Sequence, residues 1–294
     1  MKETKPKISV VICAYNAADC IQGIFDSLKR QTFTDFEIVV ANDGSTDKTA
    51  DIARANGSNV IDMKHEGLSA ARNVGINNSR ADIIAIIDAD CYAEENWVEE
   101  IYNSILSGEV VVTGNTKIPK STFLGDCISG LGYPGGGHLG FHNMWPIDVD
   151  GYTNHIAGGN CGFRKNEILK LGAFNKDLTI TADDVYLSIK VLKKGLKIKY
   201  NPNIIMYHRP RKDLQSFLKW HYSRGKGSYL FKQKVGSFGD FYKLRIWSTK
   251  NMIKKYWRSP KIFLMIALLF LSFLTQKVGY LNESMKTNKY EERP

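Results

Sequence analysis

The amino-acid sequence predicts an α/β fold with a mostly parallel sheet flanked by helices, and three observations predict it. Residues 8–14 form a nearly continuous β-branched run, which is typical of a central strand covered on both faces. Apolar residues then recur at helical spacing over residues 21–28, and a second apolar strand follows at residues 36–41. Strand and helix alternate through residue 116, an order that favours parallel strands and a ligand site at their C-terminal ends.

The later elements follow from the same kinds of pattern. Ser45, Thr46 and Asp47 offer helix caps, and a short third strand is predicted at Val60 and Ile61. The next predicted elements are helices over 69–78, 94–106, 165–171 and 183–194 and strands over 82–88, 110–116, 197–200 and 204–207. Residues 130–140 contain six glycines, which predicts a mobile loop.

Positive charge is concentrated towards the C-terminus. The chain has 294 residues, with 40 Lys and Arg against 30 Asp and Glu, but residues 209–261 alone contain 15 basic and two acidic residues. The remainder of the chain is mildly acidic, and 43% of all residues are hydrophobic. This composition excludes disordered and collagen-like chains, and it disfavours a uniformly basic nucleic-acid-binding protein.

An apolar run follows the basic, aromatic segment at residues 262–274, and Ser272 is its only polar member. A membrane-crossing helix needs about 20 apolar residues, so the run is marginal unless it continues to residue 281 while Lys277 snorkels. The aromatic and basic residues before it favour a membrane-associated helix over a buried core helix. Whether such a helix crosses the bilayer or lies in its surface stays open at this stage.

The five cysteines show no Cys-x-x-Cys spacing, and an odd number cannot pair completely, which favours a reducing compartment. The apolar run at residues 8–14 is too short to predict a secretory signal. The predicted divisions are two halves of one α/β domain at 1–116 and 117–210, a basic aromatic segment at 211–261, an apolar helix at 262–281 and a polar tail at 282–294.

Acidic residues follow the predicted strands. Asp88 and Asp90 stand where the chain leaves a buried strand, so their carboxylates are placed to bind a hard divalent cation or the ribose of a nucleotide. Asp43 occupies the corresponding position after the second strand. By itself an Asp-x-Asp sequence is commonly a solvated turn, and the pair Asp183 and Asp184 is commonly a favourable helix N-terminus.

In combination these motifs resemble glycosyltransferase family 2, whose fold is the Rossmann-like GT-A fold. The resemblance covers about two thirds of the chain, from residue 8 to residue 208. It is carried by Ala14-Tyr15-Asn16, Asn42-Asp43-Gly44-Ser45-Thr46-Asp47, Gly67-Leu68-Ser69-Ala70-Ala71-Arg72-Asn73, Asp88-Ala89-Asp90, Gly158-Gly159-Asn160-Cys161-Gly162-Phe163-Arg164-Lys165 and Asp183-Asp184-Val185-Tyr186-Leu187.

The resemblance implies roles for particular residues. The implied nucleotide-sugar-binding set is Ala14, Tyr15, Asn16, Asp43, Arg72, Asp88, Ala89 and Asp90. The implied ligands of Mg²⁺ or Mn²⁺ are Asp90, Asp88 and His208, and the implied lining of the donor sugar and acceptor is Gly158, Gly159 and Asn160. Asp184 corresponds to the family's general base, but Asp183 replaces the usual Glu and leaves open which acid serves. Taken alone, Arg72 is typical of a surface arginine and His208 of a strand-end histidine.

These features predict an inverting, metal-dependent glycosyltransferase at the cytoplasmic face of the cell membrane. By resemblance its donor is a UDP-sugar, and its acceptor is a hydroxyl of a lipid-linked or envelope glycan. An anionic membrane surface is the expected partner, and no nucleic acid is expected. The Gln-x-x-Arg-Trp sequence of processive synthases is absent, which favours the addition of one sugar. The alternative is a membrane-tethered module that binds sugar nucleotides or glycans without catalysis.

Overall fold

The computed structural model describes residues 5–132, 137–178, 182–236 and 239–291. Part of the predicted loop at 130–140 therefore lies outside the described residues, because 133–136 are not among them. The chain forms two compact units. Unit 1 comprises Met1–Lys117, Ile147–Thr179 and Asp183–His208, and unit 2 comprises Ile118–Pro146, Ile180–Ala182 and Arg209–Pro294.

The helices and strands occur in the following order along the chain. They are β1 (Ile8–Ala14), α1 (Ile21–Leu28), β2 (Phe36–Asn42), α2 (Thr49–Ala55), β3 (Asn59–Asp62), α3 (Leu68–Asn78), β4 (Ile83–Asp88), β5 (Cys91–Ala93), α4 (Trp97–Leu106), β6 (Val111–Lys117), α5 (Phe123–Ser129), β7 (Tyr152–Thr153), β8 (Asn160–Arg164), α6 (Lys165–Lys170), α7 (Asp183–Lys193), β9 (Ile198–His208), α8 (Leu214–Val235), α9 (Gly239–Tyr256) and α10 (Lys261–Glu291).

Unit 1 is a mixed α/β sheet with helices on both faces. The strand order is β3-β2-β1-β4-β8-β6-β9-β5, and β7 pairs with β9. The first four strands are parallel, as the alternating pattern predicts. β1 is buried along its whole length because its apolar side chains contact helices on both sides of the sheet. The α/β fold with a mostly parallel first half is thereby confirmed.

The second half of the sheet departs from the predicted pattern. β8 enters antiparallel between β4 and β6, so β6 does not lie beside β4. The two short strands predicted at 197–200 and 204–207 are one strand, β9. The residues between the two predicted strands include Pro202, and they lie where the pairing of β9 with β6 shifts register. A proline is tolerated at such an irregularity because the missing N–H is not needed there.

Unit 2 is mainly helical and contains α5, α8, α9 and α10. Buried side chains from all four helices form its apolar core, among them Cys127, Phe217, Met252 and Met265. The Asp213 carboxylate caps α8 by accepting the Ser216 amide at 2.7 Å. Within the described residues one helix is long and apolar enough to cross a membrane, at Lys261–Thr287 in α10, where the mean hydropathy is 1.9.

Candidate functional site

The candidate site lies at the C-terminal ends of three neighbouring strands. β1 pairs with both β2 and β4, which places Ala14 opposite Asn42 and Cys13 opposite Asp88. Residues just beyond these ends are therefore neighbours, although they are separated by tens of residues in sequence. This is the edge at which open α/β sheets bind ligands.

Asp43 is buried at this edge and fixed by the segment that precedes α3. Its carboxylate accepts the amides of Glu66 at 2.8 Å and Gly67 at 3.0 Å. His65 Nδ1 lies 3.0 Å from Asp43 Oδ2, and the His65 ring stacks on Tyr15 with 4.1 Å between ring centroids. An exposed aromatic pair thus lies directly beside a fixed carboxylate. Nothing in the sequence pattern singles out His65.

Asn16 joins the loops that follow β1 and β2. It has a positive φ of 47°, which asparagine tolerates better than most residues. Its amide donates to Ser45 Oγ at 2.9 Å, and its side-chain oxygen accepts the Thr46 amide at 2.9 Å. Ala14 and Ala89, which the resemblance also places at the site, are almost fully buried and shape the edge by their small size.

Arg72 is a buried residue and not the surface arginine that the sequence alone favours. Its Nη1 donates to Asp183 Oδ2 at 2.6 Å and its Nη2 to Asp88 Oδ1 at 3.3 Å, and its guanidinium stacks over Phe174. Burial acting alone lowers the pKa of Arg72, but the carboxylates of Asp183 and Asp88 raise it above its ordinary value. One cation therefore connects acids that the sequence separates by more than 90 residues.

The two adjacent acids at the start of α7 have different environments. Asp183 is 3% exposed, and burial raises its pKa while Arg72 opposes that shift. Asp184 is only partly buried, and its carboxylate accepts the Val185 amide at 2.7 Å and the Gly158 amide at 3.3 Å. Asp183 is therefore held in a buried ion pair with Arg72, whereas the Asp184 carboxylate is accessible to solvent.

Gly158 and Gly159 allow the backbone to pass very close to the side chains of Asp184 and Asp88, respectively. A Cβ on Gly158 would lie 2.8 Å from Arg72 Nη1 and 2.9 Å from Asp184 Cβ, and a Cβ on Gly159 would overlap the Asp88 carboxylate. Asn160 was predicted to line a loop, but it is the first residue of β8 and is fully buried. Its side chain accepts a hydrogen bond from Trp97 Nε1 at 2.8 Å.

A carboxylate and an imidazole meet where β5 pairs with β9. The register places Cys91 opposite His208, and His208 Nε2 lies 3.3 Å from Asp90 Oδ2. Ligand atoms of Asp90, Cys91 and His208 all lie within 4.8 Å of one another. Burial and the neighbouring carboxylates raise the pKa of the Cys91 thiol well above its ordinary value. The thiol therefore stays protonated, which leaves Asp90 and His208 as the donor pair.

The buried Cys13 lies among the same charges. Burial raises the pKa of its thiol to about 12, and nearby carboxylates add to the shift while Arg72 opposes it. Those carboxylates belong to Asp88, Asp183 and Asp43. Burial also raises the pKa of Asp88 itself, and Asp90 adds to that shift. Most of the predicted acids are thus electrostatic neighbours around one sheet edge.

Comparison with known proteins supports a glycosyltransferase. Residues 9–144 match the family model "Glycosyl transferase family 2". The chain is 25% identical over 300 residues to glycosyltransferase AglE of Haloferax volcanii, an alignment that covers 97% of this chain and 87% of AglE. A glycosyltransferase family 2 domain therefore matches the first half of the sheet. The domain and its glycosyltransferase relatives indicate an enzyme and argue against the non-catalytic alternative.

Two solved structures share the GT-A fold of this chain. S. aureus TarS 1-349, in complex with UDP, superposes with a TM-score of 0.54 and 19% identity over 75% of this chain. The chain spans 65% of the length of that protein. Mannosyltransferase PcManGT from Pyrobaculum calidifontis, in complex with GDP-Man and Mn²⁺, superposes with a TM-score of 0.58 and 16% identity over 99% of this chain and 89% of its own.

Gly159→Ala tests whether close backbone approach to Asp88 matters for this glycosyltransferase. The new methyl group displaces the Asp88 carboxylate, and a displacement of about 1 Å in a reacting site costs roughly a hundredfold in rate. We expect that loss in nucleotide-sugar hydrolysis. The matched control is Gly23→Ala in α1, where a Cβ meets nothing within 4 Å and helix propensity improves. Equal activity of the two variants would show that the Gly159 contact is unimportant.

Proposed function

We propose that this glycosyltransferase transfers a sugar from a nucleotide diphosphate sugar to an acceptor hydroxyl, with inversion and with the help of a divalent cation. The observation that carries the proposal is the meeting of carboxylates with Arg72 and His208 at the C-terminal edge of the sheet. TarS is in complex with UDP and PcManGT with GDP-Man and Mn²⁺, which supports a nucleotide-sugar donor bound at this edge.

The base and ribose of the donor are proposed to bind at Tyr15, Asp43 and Asp88. The amides that hold the Asp43 carboxylate fix its position, which preorganises it to accept hydrogen bonds from a base. The stacked rings of Tyr15 and His65 offer an exposed aromatic surface beside it. These contacts are consistent with either uracil or guanine, so the choice of base remains for experiment.

The residues present fit a hard divalent cation of the Mg²⁺ or Mn²⁺ type. Carboxylate oxygen and imidazole nitrogen from Asp90 and His208 suit Mn²⁺, and Asp88 adds a carboxylate nearby. When bound, such an ion neutralises charge on the departing nucleotide diphosphate. The role of Arg72 in this chain is to hold Asp88 and Asp183 in fixed positions.

Asp184 is proposed as the general base. An acceptor hydroxyl is a poor nucleophile at neutral pH, and a carboxylate within reach takes its proton as the new bond forms. The environments of the two acids support Asp184 over Asp183, because the Asp183 carboxylate is already held in a buried ion pair with Arg72. Attack from the side opposite the leaving group inverts the anomeric centre. Asp184 binds and orients the acceptor through the same carboxylate.

The acceptor is proposed to be a lipid-linked or envelope glycan at the cytoplasmic membrane surface. The long apolar stretch in α10 and the basic residues of unit 2 support a site of action at a membrane. The chain carries 15 basic residues over 209–261, next to this stretch. A phospholipid surface with negative charge complements that distribution.

A thermal-shift panel with Asp90→Ala tests the donor and metal proposals together. We expect UDP- or GDP-sugars with Mn²⁺ to raise the unfolding temperature of the native protein, because ligand binding stabilises the folded state by mass action. Asp90→Ala and His208→Ala are expected to lose the Mn²⁺-dependent part of the shift. Asp82→Ala is the matched control, since Asp82 precedes the same strand, β4, at its other end and is largely exposed. A metal-dependent shift that persists in Asp90→Ala would refute the proposed metal site.

A further inference from the structure

The exposed side of α10 is mainly apolar, which is unusual for a helix on the surface of a soluble protein. Large apolar side chains recur every three or four residues on its outward side and are well exposed, with Phe263 at 79% and Phe270 at 65%. This outward stripe, as we call it, includes Phe263, Ile266, Phe270, Phe273, Val278 and Leu281. A solvent-facing helix normally places polar residues there.

Two polar side chains of α10, Ser272 and Gln276, point inward, towards α8 and α9. Arg245 of α9 donates to Ser272 Oγ at 2.7 Å and to Gln276 Oε1 at 3.1 Å. Gln276 Nε2 lies 2.6 Å from His221 Nδ1 of α8. The inward side thus combines buried apolar residues, such as Met265 and Leu268, with these hydrogen-bonded groups, whereas the outward side over residues 263–281 is apolar apart from Lys277. This arrangement is expected where the surroundings are lipid.

Charged side chains form ion pairs or hydrogen bonds with α10 from its first turn to its last third. Lys261 binds Asp126 of α5 at 2.9 Å, Arg245 contacts the middle of the helix, and Glu283 lies 3.9 Å from Lys226 of α8. These positions span 22 residues, or about 33 Å at 1.5 Å per residue. That distance equals or exceeds the roughly 30 Å hydrocarbon core of a bilayer.

Positive charge from neighbouring segments is concentrated near the middle of α10. Burial, together with the positive charges of Arg224, Arg245 and Arg211, lowers the pKa of His221 to about 3. Three arginines thus lie near the histidine that contacts Gln276. A helix that crossed the bilayer would carry these guanidinium groups to the hydrocarbon centre, where charged side chains are costly and rare.

The exposed part of α9 has the composition of a helix at a lipid interface. Tyr242 and Ile246 of α9 and Trp257 directly after it are about 60% exposed, and basic residues lie among and just beyond them. Those basic residues are Lys243, Lys250, Lys254 and Arg258. Aromatic rings and basic groups together are typical of the headgroup region of an anionic bilayer.

We propose that α10 lies in the surface of an anionic bilayer, with its outward stripe among the acyl chains and its inward side packed on α8 and α9, and does not cross the membrane. This inference deepens the membrane-surface part of the proposed function and rests on it. Sugar transfer itself does not depend on it, because the residues assigned to chemistry all belong to unit 1. The α10 helix then anchors the enzyme as a monotopic protein, on one side of the membrane only.

The sidedness of α10 distinguishes a surface helix from a spanning one. Single cysteines are introduced at Leu106→Cys in unit 1 and at Lys286→Cys near the end of α10, both exposed positions. A membrane-impermeant maleimide is then applied to inside-out and right-side-out membrane vesicles from expressing cells. We expect both cysteines to react from the same side. Reaction of the two from opposite sides would overturn the proposal, as would recovery of the protein only in the soluble fraction.

The outward stripe is tested by vesicle binding. Phe263→Ser combined with Phe270→Ser is expected to lower binding of the full chain to vesicles of equal parts phosphatidylglycerol and phosphatidylcholine by about tenfold or more, because apolar area no longer leaves water and no charge is changed. Leu106→Ser replaces an exposed apolar residue outside α10 and is expected to bind like the parent. Nucleotide-sugar hydrolysis in solution checks that the variants are folded. Unchanged binding by the double variant would refute the assignment of the stripe to lipid.

Discussion

Replacing Asp184 by asparagine is expected to lower kcat for nucleotide-sugar turnover by about 10²–10⁴-fold, with little change in donor affinity. Asparagine keeps the size of the side chain, and its single carbonyl oxygen can still accept the Val185 amide at the start of α7. The Gly158 amide loses its acceptor, which is the other carboxylate oxygen, and the side chain loses the capacity to take a proton. The measurement is hydrolysis of the nucleotide sugar that binds best, together with calorimetric titration of that donor.

The control separates catalysis from a helix-terminus effect. Asp51 lies in the first turn of α2, so Asp51→Asn loses the same favourable interaction with a helix macrodipole without touching the site. We expect Asp51→Asn to retain activity. If Asp184→Asn and Asp51→Asn turn over the donor equally well, Asp184 is not the base. If donor affinity falls together with kcat, the residue acts in binding instead.

Arg72→Leu is expected to destabilise the protein by about 3–5 kcal/mol, the cost typical of breaking a buried ion pair by removing one partner. Arg72 and Asp183 are 3% and 4% exposed at their side chains, so water does not replace the lost guanidinium. The Asp183 carboxylate then remains buried with its favourable partner gone. Urea unfolding of the parent and the variant measures the difference in the free energy of unfolding.

Arg80→Leu provides the matched comparison. Arg80 also pairs with a carboxylate, that of Glu37 at 2.7 Å, but its side chain is 48% exposed. Water reaches the half-exposed guanidinium, and the Glu37 carboxylate keeps the Ser9 hydroxyl and the Arg80 amide as donors, so we expect an effect near the roughly 0–1 kcal/mol of exposed pairs. Arg72→Lys is expected to fall between the two, because an ammonium group cannot donate from two fixed nitrogens to two acids. Equal stability of Arg72→Leu and Arg80→Leu would contradict the structural role assigned to Arg72.

The sequence identified much of the site because strand patterns are local. The apolar run over 82–88 predicts both a buried strand and the position of Asp88 and Asp90 at its end, and β4 follows that prediction. Parallel neighbours then bring Asp43 to the same edge without any knowledge of side-chain contacts. His65 left no comparable signal, because it stands in a loop whose position depends on the Asp43 carboxylate.

Contacts between distant segments were decided by the tertiary structure. Asn160 was expected in a sugar-lining loop, but it begins β8 and hydrogen-bonds Trp97, since β8 enters the sheet antiparallel between β4 and β6. No local pattern predicts that insertion, because apolar alternation is the same for parallel and antiparallel neighbours. The strands predicted separately at 197–200 and 204–207 likewise form one strand, because the pairing of β9 with β6 continues across a shift in register.

Local sequence patterns predicted the α/β order of the first half, the acids at the strand ends and the apolar stretch near the C-terminus. Each follows from spacing within about 20 residues, where backbone geometry fixes which side chains share a face. The contacts that join Arg72 to Asp88 and Asp183 and Arg245 to Ser272 and Gln276 became known only from the folded chain. Such contacts depend on desolvation and on segments that meet across the fold, and local spacing determines neither of them.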